Sequence, residues 1–209
     1  MRIFFPVIAL TFLSQAAIAQ AGKLISDCTV FFDVTAEGSK DELAKTMEGT
    51  TKVLYIKGFK SRCDLITPSF KQTTLTDSKT DSTTVLRELG SKKYISYLNS
   101  GKAKEQNKKY IGIQFTSTGD KKIILGYECK KAVATLANGA VYTVFYTLSI
   151  NPANKLYEYQ FKSIPGFVLA YEEESADAKT KIKYTATKIS LDPVPAAKFD
   201  LPKTGYRIL

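Results

Sequence analysis

The sequence contains no histidine among its 209 residues. This absence excludes the Ser-His-Asp and Cys-His arrangements of nucleophilic catalysis, and it removes the commonest ligand of transition metals. The three cysteines, Cys28, Cys63 and Cys129, include no CxxC pair, so a zinc site is not expected either. A phosphate-binding glycine loop is also missing. We therefore predict that the protein is not an enzyme, with no catalytic residues, no metal and no cofactor.

Long apolar runs are missing too, except for one near the N-terminus. After a short positive start, the run extends from Ile3 to Leu13, and Ala17 and Ala19 lie where small residues precede a cut after Ala19. This is the layout of a secretory signal peptide. The run is shorter than the roughly 20 residues that span a bilayer, and no later segment is apolar enough to do so. We predict removal of residues 1–19, a mature chain that begins at Gln20, and a periplasmic or secreted location.

The mature chain, residues 20–209, is long enough to bury one core, so we predict a single domain. In an oxidising compartment two of the three cysteines could form a disulfide. The sequence does not choose among the three possible pairs.

Acidic residues are fewer than basic ones, 20 against 30, which gives a formal net charge of +10. The basic residues are mostly lysines spread from Lys23 to Lys203, and in segments such as Lys181–Tyr184 they alternate with other residues. Proteins that bind nucleic acid concentrate arginine and lysine on one face, so we predict no nucleic-acid partner. The alternation is typical of solvated strand faces, where lysine discourages edge-to-edge pairing. An anionic envelope surface is the alternative partner for these lysines.

Period-two patterns dominate the mature chain and predict about ten antiparallel strands in meander order. Asn138-Gly139 predicts a type I′ hairpin, and the polar span Gln72–Thr84 predicts a hairpin or a loop. The fold class expected is mainly β: a single antiparallel, strongly curved sheet or half-open β-barrel with one or two short helices. The two helix candidates are Ser39–Met47 and Lys102–Lys109. The predicted strands are Thr29–Val34, Lys52–Lys57, Ser61–Ile66, Tyr94–Leu98, Tyr110–Phe115, Ile123–Leu136, Ala140–Ile150, Leu156–Lys162, Phe167–Glu172 and Lys181–Leu191.

The segment Ile164–Phe167 predicts a type II turn, in which Pro165 presets φ and Gly166 supplies positive φ. Antiparallel pairing across this turn would place large side chains on one concave face. These side chains either line a pocket for a lipid, a lipoprotein acyl chain or another apolar ligand, or they fill the core. The six candidate ligand-binding residues are Tyr157, Tyr159, Phe161, Phe167, Leu169 and Tyr171.

Four segments resemble the GLPGLI-type secreted proteins, a family of undefined function. Ile124–Ala132, ILGYECKKA, resembles that family's LGYxCxKA segment, and Tyr142–Ile150 resembles the aromatic strand that follows it. Ser163–Val168 falls at the motif that gives the family its name, with Ser163 in place of the first glycine. Pro195–Tyr206 resembles the closing P-x-x-x-F-x-x-P…GY pattern. The resemblance covers most of the mature chain.

This resemblance implies a fold similar to the lipoprotein-carrier (LolA/LolB-like) half-open barrel, in which a curved sheet wraps an apolar concavity. It implies a location in the cell envelope and no particular activity. Two functions stay open at this point. One is a non-enzymatic β-barrel protein that binds or carries a lipid or another apolar ligand. The other is a cell-envelope structural or interaction protein with a filled barrel and a lysine-rich surface.

Overall fold

Fourteen strands form in the part of the chain that the computed structural model describes, which is residues 22–37, 47, 49–174 and 181–209. The predicted cleavage site at Ala19 and Gln20 lies outside these residues, and so does the predicted helix Ser39–Met47 except for its last residue, which is helical. The strands are β1 (Lys23–Ile25), β2 (Asp27–Glu37), β3 (Thr51–Lys57), β4 (Lys60–Ile66), β5 (Phe70–Asp77), β6 (Ser82–Leu89), β7 (Lys92–Leu98), β8 (Gln114–Ile124), β9 (Tyr127–Thr135), β10 (Val141–Thr147), β11 (Ile150–Pro152), β12 (Phe167–Glu174), β13 (Lys181–Ser190) and β14 (Arg207–Ile208).

Twelve of these strands form one sheet with the order β14-β7-β6-β5-β4-β3-β2-β13-β12-β10-β9-β8. From β2 to β7 the chain is an antiparallel meander. A short helix, α1 (Ser100–Gln106), and a 3₁₀ turn (Lys108–Tyr110) then carry it to the opposite edge, where β8 begins. The chain returns strand by strand until β13 pairs with β2. Asn99 caps the N-terminus of α1, because its side chain accepts a hydrogen bond from the Lys102 N–H.

The prediction of a mainly β fold in meander order is confirmed, but that of a single antiparallel sheet is wrong. The large sheet is mixed, because β14 pairs with β7 in parallel. A second, two-stranded parallel sheet forms from β1 and β11. Within the described residues the large sheet is open, with β14 at one edge and β8 at the other.

The main core is formed largely by buried residues of six strands that are neighbours in the sheet: β2, β3, β9, β10, β12 and β13. Period-two patterning explains most of it: in β3, for example, Lys52, Leu54 and Ile56 are buried while the residues between them are half-buried. The strand β12 departs from this pattern, since every residue from Phe167 to Tyr171 is buried. Both of its faces are therefore covered.

The C-terminal segment packs on a second, smaller core. Phe199 and Tyr206 pack against Leu75, Leu86 and Ile95, which belong to β5, β6 and β7. The Tyr206 hydroxyl donates a hydrogen bond of 2.7 Å to Glu88. The tail that resembles the closing family pattern thus acts as a cover for this part of the sheet.

Asp27 attaches the start of this tail to β2. Its Oδ2 atom accepts hydrogen bonds from the Val194 N–H at 2.8 Å and from Lys57 Nζ at 3.1 Å. Burial alone would raise the pKa of Asp27, but these two donors outweigh it and hold the pKa below the ordinary 3.8. Asp27 therefore stabilises the fold above its unfolded-state pKa, and this contribution is lost as the pH falls through the lower folded value.

Asp27→Asn is accordingly expected to lower the free energy of unfolding by about 1–2 kcal/mol at neutral pH, because the charge-assisted bonds to Val194 and Lys57 are lost. Urea unfolding at neutral and at acid pH measures this, and the deficit should shrink in acid. Asp33→Asn is the matched control, since Asp33 is exposed on the same strand. A deficit that does not depend on pH would contradict the role of the charge.

Several predicted strands are confirmed within a few residues, and the span Gln72–Thr84 is indeed a hairpin, formed by β5 and β6. Others are wrong. The predicted strand Ile123–Leu136 is interrupted by a turn in which Leu125 and Gly126 both have positive φ. The predicted strand Tyr110–Phe115 is mostly a connection, because Tyr110 ends a 3₁₀ turn and β8 starts later. The predicted strand Ala140–Ile150 is divided between β10 and β11.

The hairpin predicted at Asn138-Gly139 is present, but its turn is not type I′. Gly139 has a φ of 85°, whereas Asn138 is not at positive φ. The Leu136 N–H donates to the Ala140 carbonyl at 2.9 Å, and the Gly139 N–H donates to the Leu136 carbonyl at 2.9 Å. This is the pattern of a three-residue hairpin loop closed by a left-handed glycine.

Two predictions around Pro165 are wrong. Leu156–Lys162 is not a strand, because Tyr159–Phe161 forms a 3₁₀ turn, and β12 pairs with β10 and β13 instead. Gly166 is not at positive φ, so the type II turn is not formed. A Cβ atom on Gly166 would instead lie 2.1 Å from the carbonyl oxygen of Thr147 in β10. Glycine is needed there because two backbones meet.

Gly166→Ala is expected to lower the free energy of unfolding by about 1–3 kcal/mol, because the backbone of β10 or β12 must move to admit the methyl group. Pro165→Ala should have a smaller effect, since Pro165 is exposed. Urea unfolding compares both with Gly101→Ala in α1, where the nearest atom would be 3.7 Å away. A Gly166→Ala protein as stable as wild type would show that the close approach to Thr147 is absent.

Candidate functional site

A cavity of about 440 Å³ opens on one face of the large sheet. This volume lies in the range of roughly 300–1,000 Å³ that is typical of small-molecule sites. The strands β3 to β6, β12 and β13 provide its walls, and α1 with the following turn covers one side. The segment Leu156–Gln160 closes it from the other side.

A buried lysine lies against this cavity. Lys52 is only 2% exposed, and its Nζ atom donates hydrogen bonds to Glu158 Oε1 at 2.5 Å and to the Tyr171 hydroxyl at 2.7 Å. The same nitrogen lies 4.8 to 5.1 Å from the ring centres of Phe32, Tyr171 and Tyr184. One carboxylate and three aromatic rings therefore compensate for the water that the ammonium has lost.

Burial alone lowers the pKa of Lys52 and raises that of Glu158, because it disfavours the charged form of each group. Burial alone would lower the pKa of Lys52, but the attraction of Glu158 outweighs it and the pKa is raised. For Glu158 burial is the larger effect, so its pKa is raised although Lys52 opposes the rise. The raised pKa of Lys52 favours an ionised pair, whereas the raised pKa of Glu158 favours a neutral one. The contact of 2.5 Å is that of a charge-assisted hydrogen bond, and we therefore assign an ionised pair at neutral pH.

A second carboxylate, Glu173, lines the cavity without a cationic partner among the described residues. Its Oε1 atom accepts hydrogen bonds from the Tyr110 hydroxyl at 2.7 Å and from Gln160 Nε2 at 3.2 Å. Burial and the charge of Glu173 raise the pKa of Tyr110, so this hydroxyl stays protonated and donates. The nearby Tyr142 hydroxyl is buried with no hydrogen-bond partner in the part of the chain described.

Polar side chains form the opposite wall and the rim. Gln72, Thr74 and Thr76 of β5 and Thr83 of β6 line the cavity on the sheet side. Lys104 of α1, Lys109 and Asp81 contribute charges to the lining. The lining therefore combines aromatic rings and charged groups around Lys52 with hydroxyl and amide groups from β5 and β6.

The three cysteines do not pair, and each thiol is free. Cys28 and Cys129 are buried, while Cys63 is half-buried and lines the cavity. Burial raises the pKa of Cys63 to about 12, although Lys52 opposes the rise. A thiol with such a pKa is protonated at neutral pH and is a poor nucleophile.

The structure brings the six predicted ligand-binding residues together, although not on a hairpin. The ring centres of Tyr157 and Phe167 are 4.9 Å apart, and so are those of Phe161 and Tyr171. Only some of the six reach the cavity: Tyr157, Tyr159 and Tyr171 line it, whereas Phe161, Phe167 and Leu169 are buried in the core. Whether the lining residues bind a ligand stays a prediction.

Sequence reasoning missed Lys52, Glu158, Glu173 and Tyr110. One signal could have found the lysine: Lys52 falls in phase with Leu54 and Ile56, at a position where the strand pattern requires an apolar residue. The two glutamates carry no comparable signal.

Groups of acidic residues and cysteines that could hold a metal ion do not occur among the described residues. Within the same residues, no helix has the length and apolar character needed to cross a membrane.

No protein-family model matches this chain, and no curated protein does. Among solved structures, PNGF-II aligns over 87% of this chain and 30% of its own length, with 16% identity and a TM-score of 0.46. This chain thus spans less than a third of PNGF-II. A DUF1329 family protein from Desulfovibrio piger aligns over 84% of this chain and 90% of its own, with 7% identity and a TM-score of 0.37. Both scores are too low to support an argument about function, and the resemblance to GLPGLI-type proteins stays a prediction.

Proposed function

We propose that the protein is an exported, non-enzymatic binding protein of the cell envelope whose cavity holds a small ligand. The observation that carries this proposal is the cavity of about 440 Å³ with the buried Lys52–Glu158 pair in its lining. Buried ion pairs contribute little net stability compared with apolar packing of the same volume. A side-chain arrangement of this kind beside a cavity is therefore better explained by ligand binding than by folding.

The non-enzymatic part of the proposal is supported by the protonation of the cavity's nucleophilic groups. The raised pKa of Lys52 keeps it an ammonium, and the pKa of Cys63, about 12, keeps it a thiol. Neither group is an activated nucleophile at neutral pH.

A half-open barrel similar to the lipoprotein carriers is part of the same proposal. The strands β6 and β12 are six positions apart in the sheet, which is roughly 29 Å if the sheet were flat. Both contribute to the lining of one cavity. Bending of the sheet around the cavity accounts for this, and α1 then lies across the opening.

The second candidate is an envelope structural or interaction protein with a filled core and a lysine-rich surface. The burial of Phe161, Phe167 and Leu169 away from the cavity favours it. Native mass spectrometry on protein purified from its own cell envelope separates the two functions. A binding protein should show an additional non-covalent mass.

The additional mass should disappear in Thr74→Trp, which fills the cavity, and should persist in Thr116→Trp, which adds the same ring to the exposed β8. Absence of any bound mass from the wild-type protein would contradict the binding function and leave the structural one.

The proposed export leads to a prediction about the N-terminus of the protein. The small residues before Gln20 predict a mature N-terminus at Gln20, with or without cyclisation to pyroglutamate. Intact-mass and N-terminal analysis of protein from the envelope fraction checks this. Retention of Met1 in that fraction would overturn the predicted cleavage.

A further inference from the structure

We propose, building on the binding function above, that the cavity is made for a neutral polyhydroxylated ligand, such as a short oligosaccharide. The charge of the lining is the first argument. Three cationic side chains and three carboxylates line the cavity, so its formal charge is zero: Lys52, Lys104, Lys109, Asp81, Glu158 and Glu173. The lining therefore carries no net charge that would favour an anion over a cation or either over a neutral ligand.

The polar wall is the second argument, because it disfavours an acyl chain. Gln72 and Thr74 would lose water to a hydrocarbon that offers them no hydrogen bond. The hydroxyls of Thr76 and Thr83, which are 3.4 Å apart, would keep only each other as partners. Each polar group left in this way weakens binding. A ligand that carries many hydroxyl groups replaces the lost water at each of these positions.

The third argument is that unused donors and acceptors lie in the same cavity. Glu173 uses only Oε1, and its Oε2 atom has no partner among the described residues. Gln72 uses its oxygen to accept from Arg87 Nε at 3.0 Å, which leaves its amide N–H groups for a ligand. A hydroxyl group both donates and accepts, so a polyol satisfies the carboxylate and the amide alike. A protonated amine has no acceptor and would satisfy only the carboxylate.

The fourth argument is that the lining includes an aromatic ring on which a sugar ring can stack. Tyr171 is stacked on Tyr184 at 4.4 Å and meets the edge of Phe161, so its own faces are largely occupied. Tyr159 is only half-buried and lines the cavity, with the Lys162 ammonium 4.5 Å from its ring centre. The electron-rich face of an aromatic ring attracts the C–H groups of a flat saturated ring such as a pyranose. We assign Tyr159 as the platform, through the ring face that Lys162 does not cover, and Glu173 as an acceptor in the same lining.

The test uses the mature chain, residues 20–209, and isothermal titration calorimetry with defined probes. The probes are cellobiose, maltose and chitobiose as neutral sugars, oleate as the acyl chain, and spermidine as the cation. We expect at least one neutral sugar to bind, and oleate and spermidine not to bind in the cavity. Glu173→Gln and Tyr159→Ala should each weaken sugar binding by about tenfold or more, which corresponds to about 1.4 kcal/mol.

Matched controls are Glu128→Gln on β9 and Tyr97→Ala on β7, which remove the same groups from exposed positions outside the cavity. Both controls should keep the sugar affinity of wild type. Sugar binding that neither Glu173→Gln nor Tyr159→Ala weakens would overturn the assignment of this site.

The outcome also distinguishes the ligand class from the binding function itself. Oleate or spermidine binding without sugar binding, or a native bound mass that contains no sugar, overturns the polyol proposal while the binding function stands. If no probe binds and the envelope-purified protein carries no bound mass, both proposals fail.

Discussion

Lys52→Met is expected to lower the free energy of unfolding by about 3–5 kcal/mol at neutral pH, because it leaves the carboxylate of Glu158 buried without its cation. Methionine keeps most of the side-chain volume, so the effect reports the lost charge and not a cavity. Urea unfolding of the purified protein measures this loss. Lys121→Met is the matched control: Lys121 pairs with Glu128 at 3.0 Å, but both side chains are 55% exposed. Such pairs contribute about 0–1 kcal/mol.

The double variant Lys52→Met/Glu158→Gln should recover part of this loss, since it removes the unpaired charge as well. The stability deficit of Lys52→Met should also change with pH in a defined direction. In Lys52→Met the folded-state pKa of Glu158 lies above the unfolded value, because burial is no longer opposed by Lys52. The deficit of the variant should therefore grow as the pH rises from the unfolded pKa towards the folded one, and shrink in acid. A deficit that is equal at both pH values would contradict the buried ion pair.

Phe161→Ala is expected to lower the free energy of unfolding by about 3–5 kcal/mol, because the ring is a fully packed part of the core. Phe161 is 1% exposed and makes an edge contact with Tyr171 at 4.9 Å. Ligand binding in the cavity should not depend on this residue, since it does not line the cavity. Phe59→Ala is the control, because Phe59 is 57% exposed and its truncation removes little buried area. A Phe161→Ala protein as stable as wild type would show that this ring lines the cavity and is not packed in the core.

Much of the fold could be predicted because short strands with one buried face carry their own period. The strand β3 is an example: Leu54 and Ile56 alternate with half-buried residues, and its ends fall within one residue of the prediction. The period-two pattern misleads where tertiary packing buries residues at strand-like spacing although no strand is formed. Tyr157 and Phe161 are buried, as a strand face would require, but the chain between them turns. The Tyr157 hydroxyl accepts a hydrogen bond from the Val168 N–H at 3.3 Å, so the ring is held by β12 and not by a strand of its own.

Gly166 shows a second limit of local reasoning. Proline followed by glycine has a sufficient local explanation as a type II turn, and the sequence offers no sign of another one. The actual constraint comes from Thr147, nineteen positions earlier, whose carbonyl oxygen occupies the space of a side chain. The strand pairing between β10 and β12 must be known before this contact can be inferred.

The candidate site could be predicted only in part, for the same reason. Tyr157, Tyr159 and Tyr171 were found as aromatic residues near one another in the sequence. The Lys52–Glu158 pair joins residues 106 positions apart, one in β3 and the other in the connection just before the Tyr159–Phe161 turn. Glu158 alternates with aromatic residues, so that sequence alone assigns it to the solvent side. Its burial follows from the topology of the sheet.

The pairing of β13 with β2 also governs when this protein can fold. Thr29 is opposite Ser190 in this ladder. The strand β2 can therefore complete its pairing only after β13, near the end of the chain, has been synthesised. Closing so long a loop has an entropic cost that local hairpins such as β3–β4 do not have. The meander from β2 to β7 can form early, but its β2 edge stays open until β13 arrives. Under the proposed export, completion of the fold would fall after translocation, and an unpaired β2 edge would need protection from aggregation until then.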